Sequence, residues 1–429
     1  MIEVKNLKTG DKVEIKIKDK AWTGNVLESY DAEIILLKLE TGYNIGVRNS
    51  DIIEVKLLEK SSKTSKKPMK LVENKDLPNI AMIITGGTIS SRLDPKTGAV
   101  TWTSVEDLFK IAPELQKICN ITEVKKPFMK GSTDMSLKYW GEIAKTAHNL
   151  LLNKNIDGII ITHGTDTLHY GAASLSFFIS NLNKPIAFTY SQRSIDRAST
   201  DAHLNLICAA KYATSDIAEI AVIGHKDLND KECHALSGTK CRKMHTSRRD
   251  AFQAINDKPL ANITKYHIEI LKKFNPKSDI QPKLDTKYSD KVALIKVTPN
   301  QDPKILDYYA DQGYKGLVLE ATGLGHIPGK ASDNNWLPTI KRLIKSGITL
   351  IAVPQTLHGQ LNPNVYSYGR ELQKTKIIFC KDILPETAFI KLSWILGHKA
   401  WTYNNKHRIK EILLENIAGE YNDSLGFEF

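Results

Sequence analysis

The sequence predicts an α/β protein: a two-domain α/β core preceded by a small N-terminal β-barrel of SH3-like type. Three observations carry this reading. Residues 10–57 are short runs in which apolar and polar side chains alternate, broken by glycine turns. From residue 79 the texture changes to continuous apolar runs, each followed by a turn and a helix-like stretch. A second series of the same kind begins at residue 291.

The N-terminal elements are VEIKI (13–17), AWTGNVLES (21–29), IILLKL (34–39) and YNIGV (43–47), the last two separated by Thr41-Gly42. Alternation with a period of two buries one face and wets the other, as in a small antiparallel barrel or meander. We assign this module residues 1–58 and expect it to dock or bind, since it holds no cluster of reactive side chains. The aromatics Trp22, Tyr30 and Tyr43 could stack on bases, but at strand positions aromatics more often join a core. KSSKTSKKPMK (60–70) follows, with five lysines, three serines, one proline and no acid. It has too little apolar surface to offset the entropy of ordering, so 59–77 reads as a basic linker.

NIAMIIT (79–85) is nearly all apolar and closes on Gly-Gly, the pattern of a parallel strand buried on both faces. IDGIIIT (156–162), PIAFTY (185–190) and IAEIAVIG (217–224) continue the series. Strand, turn and helix in alternation imply a doubly wound sheet, assigned to residues 78–280. A connector rich in Pro, Lys and Asp (275–290) leads to KVALIKVTP (291–299), YKGLVLEAT (314–322) and ITLIAVPQ (348–355), which open a second α/β domain over 291–429. Ligands of open sheets bind in the crevice at the carboxyl ends of the strands, so the chemistry is sought there.

Composition narrows the class. The 429 residues are 41% hydrophobic and 25% charged, which excludes a wholly disordered chain. No apolar run approaches the ~20 residues that span a bilayer, and the N-terminus alternates charge, so a cytoplasmic protein that meets no membrane is expected. The five cysteines (119, 208, 233, 241, 380) show no metal-binding spacing, which favours free thiols. Sixty Lys and Arg against 48 Asp and Glu leave a net charge of +12. Such an excess attracts polyanions, RNA included. It is densest at Lys240, Arg242, Lys243, Arg248 and Arg249, and again at Lys399, Lys406, Arg408 and Lys410.

Two hydroxyl-bearing turns stand at strand ends: Thr85-Gly86-Gly87-Thr88-Ile89 and His163-Gly164-Thr165-Asp166-Thr167. Glycines after a buried strand let the backbone turn sharply, and a threonine beyond them can present its hydroxyl to the crevice. Threonine is a poor nucleophile without a base or charge network. Either turn alone is an ordinary tight turn or helix N-cap. Together, at two strand ends, they point to a shared site.

These two turns resemble the paired signatures of the L-asparaginase/glutaminase superfamily, and the resemblance runs from about residue 79 to 429. It implies an asparaginase-like fold for the core and a site built from two threonines, an aspartate and a lysine that hydrolyses a side-chain carboxamide. GSTDM (131–135) is similar to the segment that binds the substrate α-carboxylate, here through Ser132, and GLVLEATGLGHIP (316–328) to a turn of the second domain. The lysine is placed nine residues before Phe252, at Lys243, with Lys240 as the competitor. The resemblance implies that Thr88 attacks the carboxamide, that Lys243 relays the proton through Thr165, and that Asp166 orients the lysine and captures the α-ammonium. The reverse assignment of the two threonines stays open. One departure stands out: SSRLDPKTGAV (90–100) offers Ala99 where free asparaginases supply an activating tyrosine. An amidase that awaits a partner fits that departure.

An amidase core with a leading barrel and a basic linker is similar to the D-subunit family of archaeal-type glutamyl-tRNA(Gln) amidotransferases. That resemblance implies release of ammonia from glutamine or asparagine, no cofactor in this chain, and a partner E subunit that uses ATP and Mg2+ to act on Glu-tRNA(Gln). It also implies a homodimer within a heterotetramer. The sequence has no GxxxxGK[ST] phosphate loop, in keeping with ATP chemistry elsewhere. Two alternatives are a free-standing L-asparaginase with an appended barrel and a non-enzymatic RNA-binding scaffold.

Overall fold

The computed structural model describes residues 7–27, 29, 31–39, 44–60, 74–93, 100–102, 112–195, 200–402 and 405–424. The expectations for Tyr30, Tyr43, Ala99 and most of the linker lie outside these residues.

The N-terminal module is a five-stranded antiparallel sheet of β1 (Lys12–Ile17), β2 (Lys20–Leu27), β3 (Ile34–Leu39), β4 (Asn44–Arg48) and β5 (Glu54–Glu59), in the order β4-β3-β2-β1-β5. Alternation in β1 turns Val13 and Ile15 inward, where Val26, Leu37, Val47 and Val55 complete a small core. Trp22 is half-buried against that core. Among the described residues no pairing joins β4 to β5, so the described sheet is open at both ends. β5 is a strand that the sequence pattern did not predict.

The first core domain is built on an eight-stranded sheet. Its parallel part comprises β6 (Asn79–Ile84), β7 (Asn120–Lys125), β8 (Gly158–Thr162), β9 (Ile186–Thr189) and β10 (Ile220–His225), ordered β7-β6-β8-β9-β10. The antiparallel strands β11 (Glu232–Ser237), β14 (Ala261–Thr264) and β15 (Ile268–Ile270) extend it beyond β10. Between β11 and β14 the chain forms a separate two-stranded hairpin, β12 (Cys241–Lys243) with β13 (Phe252–Ala254). The parallel order reverses between β6 and β8. Strands on either side of that point send their following turns in opposite directions and open a crevice.

Helices cover both faces. In α1 (Leu137–Leu151) the residues Trp140, Ile143, Ala144, Ala147, Leu150 and Leu151 share the buried face at helical spacing. α2 (Leu168–Phe178) packs beside it, and α3 (Ala202–Thr214) covers the other face.

The second domain has four parallel strands in sequence order: β16 (Val292–Lys296), β17 (Gly316–Ala321), β18 (Thr349–Pro354) and β19 (Ile378–Phe379). Helix α4 (Lys304–Asp311) and helix α5 (Leu337–Lys345) pack together, and α6 (Ser367–Gln373) precedes β19. Helix α7 (Pro385–Leu396) packs on α2 and also on β16 and β17, and α8 (Lys406–Leu414) packs on α7. One buried cluster therefore runs through both domains, joining Leu175 and Phe178 to Val292, Val318 and Ile351. The five cysteines are buried free thiols, as the spacing predicted. Among the described residues no helix is long and apolar enough to cross a membrane.

Candidate active site

The two signature turns leave β6 and β8, the adjacent strands at the reversal of the sheet. Their contact is backbone on backbone. Gly87 sits at φ +80°, and a Cβ built on it would lie 2.4 Å from the Gly164 Cα. Only glycine allows both that conformation and that approach. Gly164 in turn presses on the third loop, where its Cβ would lie 2.7 Å from the Ser132 Oγ. Hydrogen bonds fix the same junction: the Thr85 hydroxyl donates to the Thr162 carbonyl at 2.8 Å, and the Lys130 N–H donates to the Thr85 carbonyl at 2.9 Å.

Four of the five predicted side chains meet there. The Lys243 Nζ, 78 residues from its partner, donates to the Thr165 Oγ1 at 2.8 Å and lies 2.9 Å from the Asp166 Oδ1. Ser132 is buried; its Oγ accepts the Asp166 N–H at 3.1 Å and lies 3.4 Å from the Asp166 Oδ2. The Thr167 hydroxyl clamps the Ser132 carbonyl at 2.7 Å. Each oxygen of Asp166 thus has a neighbour, yet the side chain remains 55% exposed toward the crevice while that of Lys243 is 13% exposed. A half-open carboxylate beside an ammonium can exchange part of its solvation for a second cation.

Thr88 opens a short 3-10 turn (Thr88–Ser90) next to the Gly87–Gly164 contact and is half-buried. Among the described residues its hydroxyl makes no hydrogen bond, and its carbonyl accepts from the Ser91 Oγ at 2.8 Å. The structure therefore joins Thr165, Asp166, Lys243 and Ser132 directly and sets Thr88 on the neighbouring turn.

Lys240, the competing lysine, lies elsewhere. Its side chain is 1% exposed and pairs with the buried Asp382 at 2.6 Å. The rest of that basic patch is likewise paired: Arg242 with Glu386 at 3.0 Å, Arg248 with Asp250 at 2.5 Å and Arg249 with Asp230 at 2.9 Å. What reads in sequence as a polyanion-attracting cluster is a set of ion pairs. Asp250 within the same segment, Asp230 19 residues before Arg249, and Asp382 and Glu386 of the second domain supply the acids.

Several titratable groups around the site are buried. His163 is fully buried and its Nδ1 donates to the Gly164 carbonyl at 2.7 Å, a bond internal to the turn. Burial pushes its imidazole down to about 4, against a smaller upward pull from that carbonyl. His169 is also buried, and burial, helped by the charge of Arg242, pushes it down to about 3. Burial raises the carboxyls of Glu386 and Glu320 above their ordinary range, opposed for both by the Arg242 guanidinium. Glu320, the penultimate residue of β17, is 9% exposed and lies 3.9 Å from the Lys296 ammonium.

The cross-domain partners Asp382 and Glu386 were not found from sequence. The signal was weak: two acids near the start of α7, 142 and 144 residues from the lysine and arginine that they pair with.

Comparison with known proteins agrees with this layout. Residues 79–275 match the family described as "Asparaginase, N-terminal", residues 291–413 the "Glutaminase/Asparaginase C-terminal domain", and residues 7–58 the "GatD N-terminal domain". The glutamyl-tRNA(Gln) amidotransferase D subunit from Pyrococcus furiosus is 42% identical, covering 98% of this chain and 96% of its own length. The D subunit from Methanothermobacter thermautotrophicus is 39% identical over 98% of this chain and 96% of its own. Among solved structures, the thermostable L-asparaginase from Thermococcus kodakarensis superposes with a TM-score of 0.72 at 28% identity, over 81% of this chain and all of the other.

Proposed function

Because this chain belongs to the family of glutamyl-tRNA(Gln) amidotransferase D subunits, with an asparaginase-type core, we propose that its crevice hydrolyses the side-chain amide of glutamine. The ammonia serves a partner, the E subunit, which uses ATP and Mg2+ to convert Glu-tRNA(Gln) into Gln-tRNA(Gln). The observation that carries this reading is the Lys243 Nζ held 2.8 Å from the Thr165 Oγ1 and 2.9 Å from the Asp166 Oδ1.

The roles follow from chemistry. The exposed side of Asp166 takes the substrate ammonium, and the Ser132 hydroxyl turns from Asp166 to the substrate carboxylate. Those contacts set the carboxamide between the two threonine-bearing turns. The Thr88 hydroxyl attacks the carbonyl carbon, and its proton leaves through Thr165 to Lys243, which must be neutral at that moment to accept it. The C–N bond then breaks with a proton delivered to nitrogen, ammonia departs, and a glutamyl ester remains on the threonine. Water cleaves the ester by the same relay and returns glutamate. A second reading exchanges the two threonines, favoured by the direct bond from Lys243 to Thr165 and by the lack of a bonded partner for the Thr88 hydroxyl among the described residues. The active assembly on this account is a homodimer of this chain within a heterotetramer.

Ammonia release from glutamine and asparagine, measured for the chain alone and with the E subunit and Glu-tRNA(Gln), tests the function. Glutamine hydrolysis should be slow alone and rise at least about tenfold in the full system, the scale on which closure by a partner completes a site. Fast asparagine hydrolysis indifferent to tRNA would instead mark a free-standing asparaginase. Peptide mapping of the quenched acyl-enzyme assigns the nucleophile, with the ester expected on Thr88.

A further inference from the structure

The relay lysine sits on a two-stranded hairpin, and such a hairpin is marginal by itself. It needs external anchors. β12 and β13 pair Cys241 with Ala254, Arg242 with Gln253 and Lys243 with Phe252, and among the described residues they join no larger sheet. Side chains alternate across a strand, so Lys243 faces the crevice while Arg242 faces away from it. The anchors on that far side come from the second domain. The Arg242 Nε meets the Glu386 Oε1 at 3.0 Å, with the carboxylate side chain 8% exposed. Two residues earlier the buried Lys240 Nζ meets the Asp382 Oδ2 at 2.6 Å. Beside these pairs, the Thr387 hydroxyl donates to the Thr239 carbonyl at 2.9 Å. The returning end is tied as well: Asn256 exchanges two hydrogen bonds of 3.0 Å with Gly359, and its carbonyl accepts from the Asn422 Nδ2 at 2.5 Å. Asn422 also donates to the Asp382 Oδ2 at 2.8 Å, which links the two ends through one carboxylate.

We propose that Glu386 and Asp382 are positioning residues for Lys243: among the described residues the second domain makes no hydrogen bond to the Thr165, Asp166 or Lys243 side chains, yet it helps hold the hairpin that aims the lysine at Thr165. The inference rests on the amidase reading above and adds to it a mechanical route. Any partner that shifts α7 against α2 would move the lysine with it. Releasing one anchor should loosen the lysine and its pairing with Asp166, while Ser132 and the backbone of Asp166, which belong to other loops, keep their places. Substrate binding is therefore spared while proton transfer suffers, because misplacement of a reacting group by about 1 Å costs rate on the order of a hundredfold.

The test is a steady-state glutaminase assay on the full chain in complex with its partner and charged tRNA, with thermal unfolding recorded in parallel. Glu386→Gln should lower kcat by about tenfold or more at a KM within about twofold of wild type, the mark of an interaction needed only beyond the bound ground state. Glu386→Asp should recover most of the loss. Arg242→Gln with Glu386→Gln should be milder than Glu386→Gln alone, since the double variant strands no charge. Asp382→Asn leaves Lys240 buried and unpaired; should it fail to fold, Lys240→Met with Asp382→Leu removes both charges and is expected to fold with the same split between kcat and KM. A wild-type kcat in Glu386→Gln, or a loss shared equally by kcat and KM, overturns the inference. Lys243→Ala separates the two levels: if it stays fully active the amidase reading itself fails, whereas if it is inactive and Glu386→Gln is not, the positioning role alone fails.

Discussion

At the scale of the residue, burial holds two histidines beside the site in their neutral form over most of the acid range. His163 is fully buried beneath the second signature turn, with its Nδ1 proton committed to the Gly164 carbonyl. Its folded pKa of about 4 lies below the ordinary 6.5. Above pH 6.5 the ring is neutral in both folded and unfolded chains and has no effect on stability. Between 6.5 and 4 the unfolded chain binds the proton and the folded one does not, so stability falls as pH falls through that window. The full effect is about 3 kcal/mol at roughly 1.4 kcal/mol per pH unit, and His169 adds to it with the same sign. Urea midpoints of wild type and His163→Asn at about pH 7 and about pH 4.5, either side of most of that window, should show a clearly smaller acid-side drop in the variant. Equal drops would place the acid sensitivity elsewhere. The sequence shows His163 only as the first residue of the second signature turn; its burial and its bond to the Gly164 carbonyl come from the fold.

At the scale of elements, the turn after β6 and the turn after β8 meet through glycine, and the meeting can be tested by a single methyl group. In Gly87→Ala the new carbon would fall 2.4 Å from the Gly164 Cα and N, at a φ of +80° that alanine resists. Neither neighbour is a flexible side chain, so the turns must part. We expect a loss on the order of 3 kcal/mol in unfolding free energy, with ammonia release falling below detection in the fraction still folded. A variant with wild-type stability and activity would mean that the contact does not set the site. This junction was readable from sequence, since glycines at two strand ends mark where backbones turn and approach. The strands were equally readable where burial was uniform: NIAMII and GIIIT are apolar almost throughout because helices cover both faces of the sheet. β5 was missed because Glu54–Glu59 mixes charge with leucine and contributes only Val55 to the buried core. The ion pairs of the hairpin were unreadable. Their acids lie up to 144 residues from their bases, and nothing in a local pattern links Glu386 to Arg242.

At the scale of the molecule, two domains share one core, and the crevice of the first is aimed partly by the second. Thr165 and Asp166 come from the turn after β8, Lys243 from the hairpin, Ser132 from the loop after β7, and the ion-pair partners Asp382 and Glu386 from the second domain. A chain so arranged can respond to a partner that never touches the relay. The pairing of Arg242, Arg248 and Arg249 with acids also bears on how RNA is met. Those cations are already engaged, so the net charge of +12 is a poor guide to where a polyanion would sit. The central claim is that Lys243, through Thr165 and Asp166, moves the proton that splits the glutamine amide. The most direct measurement is ammonia release from glutamine by wild type and Lys243→Ala, each combined with the E subunit, ATP, Mg2+ and Glu-tRNA(Gln). The account predicts a rate for the variant lower by about a hundredfold or more, on the scale of lost general acid–base catalysis, with its folding intact. Ammonia released by Lys243→Ala as fast as by wild type would contradict it.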